Sequence, residues 1–117
     1  MGLKALVIED SNKWQIVYSC HLKAAGFNEV DVTENPRQAL EYLKTPYNLI
    51  VSDTLDANGI PTFPDVIRRA RDDGITTKVI ANSKDYESKS HWEGIDNVDF
   101  VQKDKISSEY IKSVIDL

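Results

Sequence analysis

Tyr47-Asn48-Leu49-Ile50-Val51-Ser52-Asp53 is the stretch whose reading decides the fold. Its apolar run is short, nearly continuous and β-branched, and it stops at a carboxylate. A strand with one wet face alternates apolar and polar residues, whereas a strand covered on both faces has no need to. Asn48 to Ser52 therefore reads as an interior strand between two layers of helices. Ala5-Leu6-Val7-Ile8 and Lys78-Val79-Ile80-Ala81 have the same character. Val30-Asp31-Val32 and Val98-Asp99-Phe100-Val101 alternate more, which suits strands nearer an edge.

Helix-period segments lie between these runs. Ile16, Val17, Cys20, Ala24 and Phe27 fall on one stripe, Ala39, Leu40 and Leu43 on a second, and Val66, Ile67 and Ala70 on a third; Ile111, Val114 and Ile115 mark the last helix. Asn35-Pro36-Arg37-Gln38 offers an N-cap, a first-turn proline and a glutamine placed to close a capping box. Gly26 and Gly74 sit where helices should stop. The polar segment Asp85 to Glu93 is the weakest helix, with Tyr86 and Trp92 as its only large apolar groups. Five strand-helix pairs predict an α/β fold: a doubly wound, flavodoxin-like parallel sheet of order 2-1-3-4-5 with helices on both faces.

Composition narrows the function classes. The chain has 117 residues, 41% hydrophobic and 28% charged, which suits one globular domain and is too apolar for disorder. A net charge of -5 argues against a nucleic-acid partner, because phosphate binding needs clustered cations. Cys20 alone gives no disulfide framework, and His21 and His91 lie far apart with no second ligand at helical spacing. The N-terminal apolar run is too short for a signal peptide or a membrane span, so a cytoplasmic protein is expected. Met1-Gly2-Leu3-Lys4-Ala5-Leu6 also lacks the Ser or Thr of a myristoylation signal.

Ligands of such sheets sit beyond the C-terminal ends of the strands. There the sequence places Glu9-Asp10, Asp53, Asn82-Ser83 and Gln102-Lys103, with Thr33-Glu34 displaced to the edge. Singly these residues read as caps, turns and surface charges. Jointly they bring three carboxylates, a hydroxyl and an ammonium to one rim. Clustered carboxylates repel one another unless a cation joins them, and hard oxygen donors suit Mg²⁺. A carboxylate beside Mg²⁺, a lysine and a hydroxyl is equipped to attack a phosphoryl group.

Leu6-Val7-Ile8-Glu9-Asp10, Tyr47 to Asp53, Val79-Ile80-Ala81-Asn82-Ser83 and Asp99-Phe100-Val101-Gln102-Lys103 resemble a response-regulator receiver domain of two-component signalling. The resemblance spans residues 1–117 as one domain and is similar to stand-alone receivers of the chemotaxis type. It implies that Asp53 is the phosphoacceptor. Glu9, Asp10 and Asp53 would hold Mg²⁺ with the backbone carbonyl of Leu55. Ser83 would be the switch hydroxyl, Lys103 would pair with a phosphoryl oxygen, and Phe100 would be the switch aromatic, against a plain reading as a core aromatic. The donor would be a sensor histidine kinase or a histidine phosphotransfer protein, and the output a downstream protein target. The chain would act as a monomer or weak homodimer, a switch rather than an enzyme beyond slow self-dephosphorylation. Trp14, Gln15 and Tyr18 on helix one are candidates for kinase docking, with a partly exposed amphipathic face as the plain reading. With Leu117 right after the last helix, no output domain is expected.

Three positions depart from the family pattern. The loop after the acceptor reads Thr54-Leu55-Asp56-Ala57-Asn58-Gly59-Ile60-Pro61, where Asp56 adds a carboxylate that is either a turn residue or a perturbation of the metal. Lys84 follows the switch hydroxyl, where a small residue is usual. Asp104 follows Lys103, where a proline is usual. In the family, residues two places beyond the acceptor and the hydroxyl, here Leu55 and Asp85, tune phosphoryl lifetime. A phosphorylation-independent interaction module is the alternative. A flavodoxin, a dinucleotide-binding domain or a haloacid-dehalogenase-type phosphatase is disfavoured, because the loop after strand one is acidic, lacks a glycine-rich turn and carries no Asp-x-Asp pair.

Overall fold

A computed structural model describes residues 2–115; Met1, Asp116 and Leu117 of the expected 1–117 span lie outside the described residues. Five parallel strands, β1 (Leu3–Ile8), β2 (Phe27–Thr33), β3 (Leu49–Asp53), β4 (Val79–Ser83) and β5 (Val98–Gln102), form one sheet of order β2-β1-β3-β4-β5. This is the predicted order, with the two more alternating segments at the edges.

Strand parity explains the layers. Leu6, Ile8, Ile50, Val79 and Ala81 point to one side, and Ala5, Val7, Leu49, Val51 and Ile80 to the other. The first side packs on α2 (Pro36–Tyr42) and α3 (Thr62–Asp72) through Ala39, Leu43, Phe63, Ile67 and Ala70. The second packs on α1 (Asn12–Ala24) and α4 (Ser108–Ile115) through Tyr18, Leu22 and Ile111. All five residues of β3 are buried, as its continuous apolar run demands.

Local chemistry sets the helix ends. Asn35 accepts from the Arg37 and Gln38 amides at 2.9 and 3.1 Å, with Pro36 at the first helical position. Gln38 does not close a capping box. Its amide oxygen accepts from the Thr33 hydroxyl, which in turn accepts from the Asn35 amide. Gly26 and Gly74 have positive φ just past α1 and α3, the conformation a helix stop requires.

Two further expectations are corrected. The buried stripe of α1 is not Ile16, Val17, Cys20, Ala24 and Phe27. Ile16 is 59% exposed, Cys20 and Ala24 are exposed, and Phe27 belongs to β2. Tyr18 and Leu22 are buried instead, with Trp14 and Val17 packed beside them. The segment after β4 is a 3-10 helix, Tyr86–Trp92, capped by Asp85 accepting from the Ser88 amide at 2.9 Å. With only Trp92 as a large buried group, it has too little apolar surface to anchor a longer helix.

Arg71 closes the bottom of the sheet. Its guanidinium donates to the carbonyls of Ile75, Thr77, Asp96 and Asn97, joining the loops that enter β4 and β5. Arg71→Met leaves those carbonyls without their donor. It should destabilise the protein by about 1–3 kcal/mol, read as a lower urea midpoint with an unchanged slope.

Candidate functional site

The site lies at the C-terminal ends of β1, β3 and β4, where the strand order reverses and the crossovers diverge to opposite faces. Parity also selects the side chains. Counting on from Val7, Val51, Ile80 and Val101, the residues Glu9, Asp53, Asn82 and Lys103 all fall on the α1/α4 side. Asp53 and Asn82 are register partners. Four polar groups, in or just past the ends of four strands, therefore meet beneath α1.

Glu9, Asp53, Ser83 and Lys103 are buried, at 1%, 7%, 4% and 6% exposure, and Lys103 pairs with both Glu9 and Asp53. The Lys103 ammonium donates to Glu9 Oε1 in a short charge-assisted bond and lies 3.5 Å from Asp53 Oδ2. The other Glu9 oxygen accepts from the Ser11 amide at 3.1 Å, and Asp53 Oδ1 from the Thr54 amide at 2.8 Å. Ser11 also caps α1. One carboxylate oxygen from each of Glu9, Asp10 and Asp53 lies within 4.8 Å of the other two. A cavity of about 420 Å³ opens onto them, lined also by Trp14, Leu55, Asp56, Ser83, Lys84 and Asp85.

Electrostatics follows from this crowding. Burial, reinforced by the Asp53 charge, pushes the Glu9 carboxyl from its ordinary 4.5 up to about 7, against the pull of Lys103. Asp53 is pushed up too, chiefly by burial, against the pull of Lys103 and the Thr54 N–H. The Tyr18 phenol is driven well above its ordinary value by burial and by the Glu9 and Asp53 charges, so it stays protonated. One ammonium bonded among three carboxylates leaves negative charge unmatched. All the donors are hard oxygens facing an open cavity, so the set fits a divalent cation such as Mg²⁺.

The architecture has solved counterparts. The chain superposes on the chemotaxis protein CheY4 of Vibrio cholerae with a TM-score of 0.79 at 19% identity, over 99% of this chain and 98% of that one. A response-regulator receiver domain of Methylobacillus flagellatus gives 0.80 at 17% identity, over 99% and 98%. The fold is that of a receiver domain. A third counterpart is the receiver domain of a sensor histidine kinase of Pseudomonas aeruginosa. It matches at 0.73 and 18% identity over 98% and 95%, and that structure has a magnesium ion in its active-site cleft. No protein-family model matches the chain, and no curated protein matches it in sequence.

On this receiver fold the expected residues gather as follows. Glu9, Asp10, Asp53, Leu55, Ser83 and Lys103 all line the one cavity. Phe100 is half-buried, packs on the α2/α3 side, and meets the exposed Tyr86 edge-on at 5.9 Å. Asp56 is a turn residue: its carboxylate accepts from the Asn58 and Ile60 amides and the Thr62 hydroxyl. The Thr62 bond above all holds its pKa below the usual range. Lys84 is exposed at the cavity lip. Lys103 begins a short 3-10 helix, Lys103–Lys105, and no peptide bond among the described residues is cis.

The docking trio on helix one divides. Tyr18 is fully buried and cannot serve a partner. Gln15 donates to the Glu9 carbonyl at 2.7 Å. Trp14 is half-exposed, stacked on Tyr18 at 5.6 Å, with the Lys103 ammonium 5.6 Å from its ring centre. Sequence reasoning assigned no role to Thr54 or Asn82 and noted Trp92 only as an apolar group. The Trp92 indole donates to Thr54 Oγ1 at 2.9 Å, and that hydroxyl donates to the Asn82 carbonyl at 2.8 Å. A polar Asn82 directly after the apolar run of β4 was the available signal.

The raised Glu9 pKa has a measurable sign. Between pH 4.5 and about 7 the folded protein keeps a proton that the unfolded chain has released. That contribution to stability is complete below pH 4.5 and is lost as pH rises through about 7. In chelator, the thermal midpoint should fall between pH 5 and 8, and Glu9→Gln should flatten the fall.

Proposed function

We propose that this chain is a receiver switch that takes a phosphoryl group on Asp53. The observation that carries this reading is the Lys103 ammonium held between Glu9 and Asp53, at an open cavity whose third carboxylate is Asp10. Glu9, Asp10 and Asp53, with the Leu55 backbone carbonyl, would hold Mg²⁺. When bound, Mg²⁺ would offset charge on the phosphoryl oxygens and the acceptor.

The donor fitting such a site is a phosphohistidine of a sensor kinase or phosphotransfer protein, or a small acyl phosphate. A free Asp53 oxygen attacks phosphorus, the phosphorus–nitrogen bond breaks, and the imidazole leaves with its electron pair and takes up a proton. The Thr54 N–H fixes one Asp53 oxygen and leaves the other beside Lys103. Lys103 then pairs with a phosphoryl oxygen, and the Ser83 hydroxyl at the cavity wall donates to another. Phosphorylation draws Ser83 toward the group and lets Phe100 move, altering the surface it shares with Tyr86. Output passes to a protein target through that surface. The chain is a switch in the cytoplasm rather than a turnover enzyme. Among the described residues no helix is long and apolar enough to cross a membrane.

The decisive test is intact mass after incubation with Mg²⁺ and acetyl phosphate. Wild type should gain one phosphoryl group and Asp53→Asn none. No adduct on wild type, with no response to beryllofluoride, would leave the phosphorylation-independent interaction module as the reading. Trp14 and Trp92 both contact the site network and should report activation. Beryllofluoride should change their fluorescence in wild type, and Lys103→Ala should abolish the change while Mg²⁺ affinity stays within a few-fold. An undiminished change in that variant would remove Lys103 from the switch.

A further inference from the structure

We infer that Asn82 is a positioning residue: steadied by Tyr18, it holds the Lys103 ammonium at the Asp53 carboxylate. This deepens the phosphoacceptor reading and rests on it. Asn82 is fully buried, and each of its polar side-chain groups has a partner. Its Nδ2 donates to the Ser52 carbonyl at 2.9 Å. Its Oδ1 accepts from the Tyr18 hydroxyl at 3.0 Å and from Lys103 Nζ at 3.3 Å.

The chemistry of this arrangement is directional. An ammonium carries three N–H donors. Glu9, Asp53 and Asn82 give it acceptors on three sides. Glu9 holds Lys103 most closely, and the longer contact to Asp53 would lengthen further if nothing drew the ammonium toward β3 and β4. The Asn82 oxygen supplies that pull without adding a fourth negative charge. The Ser52 carbonyl can only accept and the ammonium can only donate, so these two fix which way the amide faces; the Tyr18 hydroxyl, donating to Oδ1, holds it in place. The Tyr18 ring also lies 5.7 Å from Lys103 Nζ, walling the ammonium from solvent. When a phosphoryl group arrives, the bond to Asn82 stays while the other donors turn from carboxylate to phosphoryl oxygen.

Two variants test this in the full chain. Asn82→Leu removes the amide at similar volume, and Tyr18→Phe removes only the hydroxyl. With Mg²⁺ and acetyl phosphate, adduct formation should slow roughly tenfold or more in Asn82→Leu and about two- to fivefold in Tyr18→Phe, because small misplacements of a reacting group are costly. In a Lys103→Ala background neither change should slow it further, whereas a general packing defect would slow both backgrounds alike. Wild-type rates in both variants, or equal slowing in both backgrounds, overturn the inference. Should Asn82→Leu fail to fold, the Tyr18→Phe cycle decides.

Failure of the phosphoacceptor reading is separately visible, as wild type without an adduct. The tether is then decided by lysine ammonium NMR without any donor. The Lys103 signal should be protected from solvent exchange in wild type and should shift and lose protection in Tyr18→Phe and Asn82→Leu; an unchanged signal overturns it.

Discussion

A buried ammonium among buried carboxylates is the constraint on which this site depends. Removing each charge from water costs several kcal/mol, and the cost is offset only where partners are close and their other oxygens are bonded. Lys103 meets that condition through Glu9 and Asp53, whose remaining oxygens are taken by the Ser11 and Thr54 amides. These bonds need β1, β3 and β5 in one register, and they need Ser11 where α1 begins. Sheet register, helix start and site geometry are therefore a single requirement.

The same constraint accounts for the charge balance. One ammonium does not satisfy three carboxylates; burial first, and the neighbouring Asp53 charge second, push the Glu9 carboxyl up, and burial chiefly does the same to Asp53. The positions that depart from the receiver pattern leave Glu9, Asp10, Asp53, Ser83 and Lys103 gathered at one cavity. Asp56 spends its carboxylate on closing its own loop, Lys84 stands at the lip, and the turn after Lys103 is made by a 3-10 helix. A second network runs from Trp92 through Thr54 to Asn82, joining the segment after β4 to the loop after β3.

Where reading the sequence succeeded, the reason is one of contrast. The runs of β1, β3 and β4 are continuous enough to require burial on both faces, and the polar residues that end them fall at the rim where ligands of such sheets bind. Helix one lacks that contrast. Ile16 and Cys20 are apolar yet exposed, while Tyr18 carries a hydroxyl yet is buried. Tyr18 is buried because its hydroxyl finds Asn82, 64 positions away, and no local pattern announces such a partner.

Periodicity, strand composition and the order of polar strand ends thus determined the doubly wound sheet and the gathering of Glu9, Asp10, Asp53, Ser83 and Lys103, because these depend on local alternation and the handedness of crossovers. The tertiary structure alone decided which groups share Lys103, that the Asp56 carboxylate is bonded within its own loop, and that Tyr18 and Asn82 lie beneath the site. Those contacts join residues distant in the chain, and a hydrogen bond is set by the meeting of donor and acceptor in space.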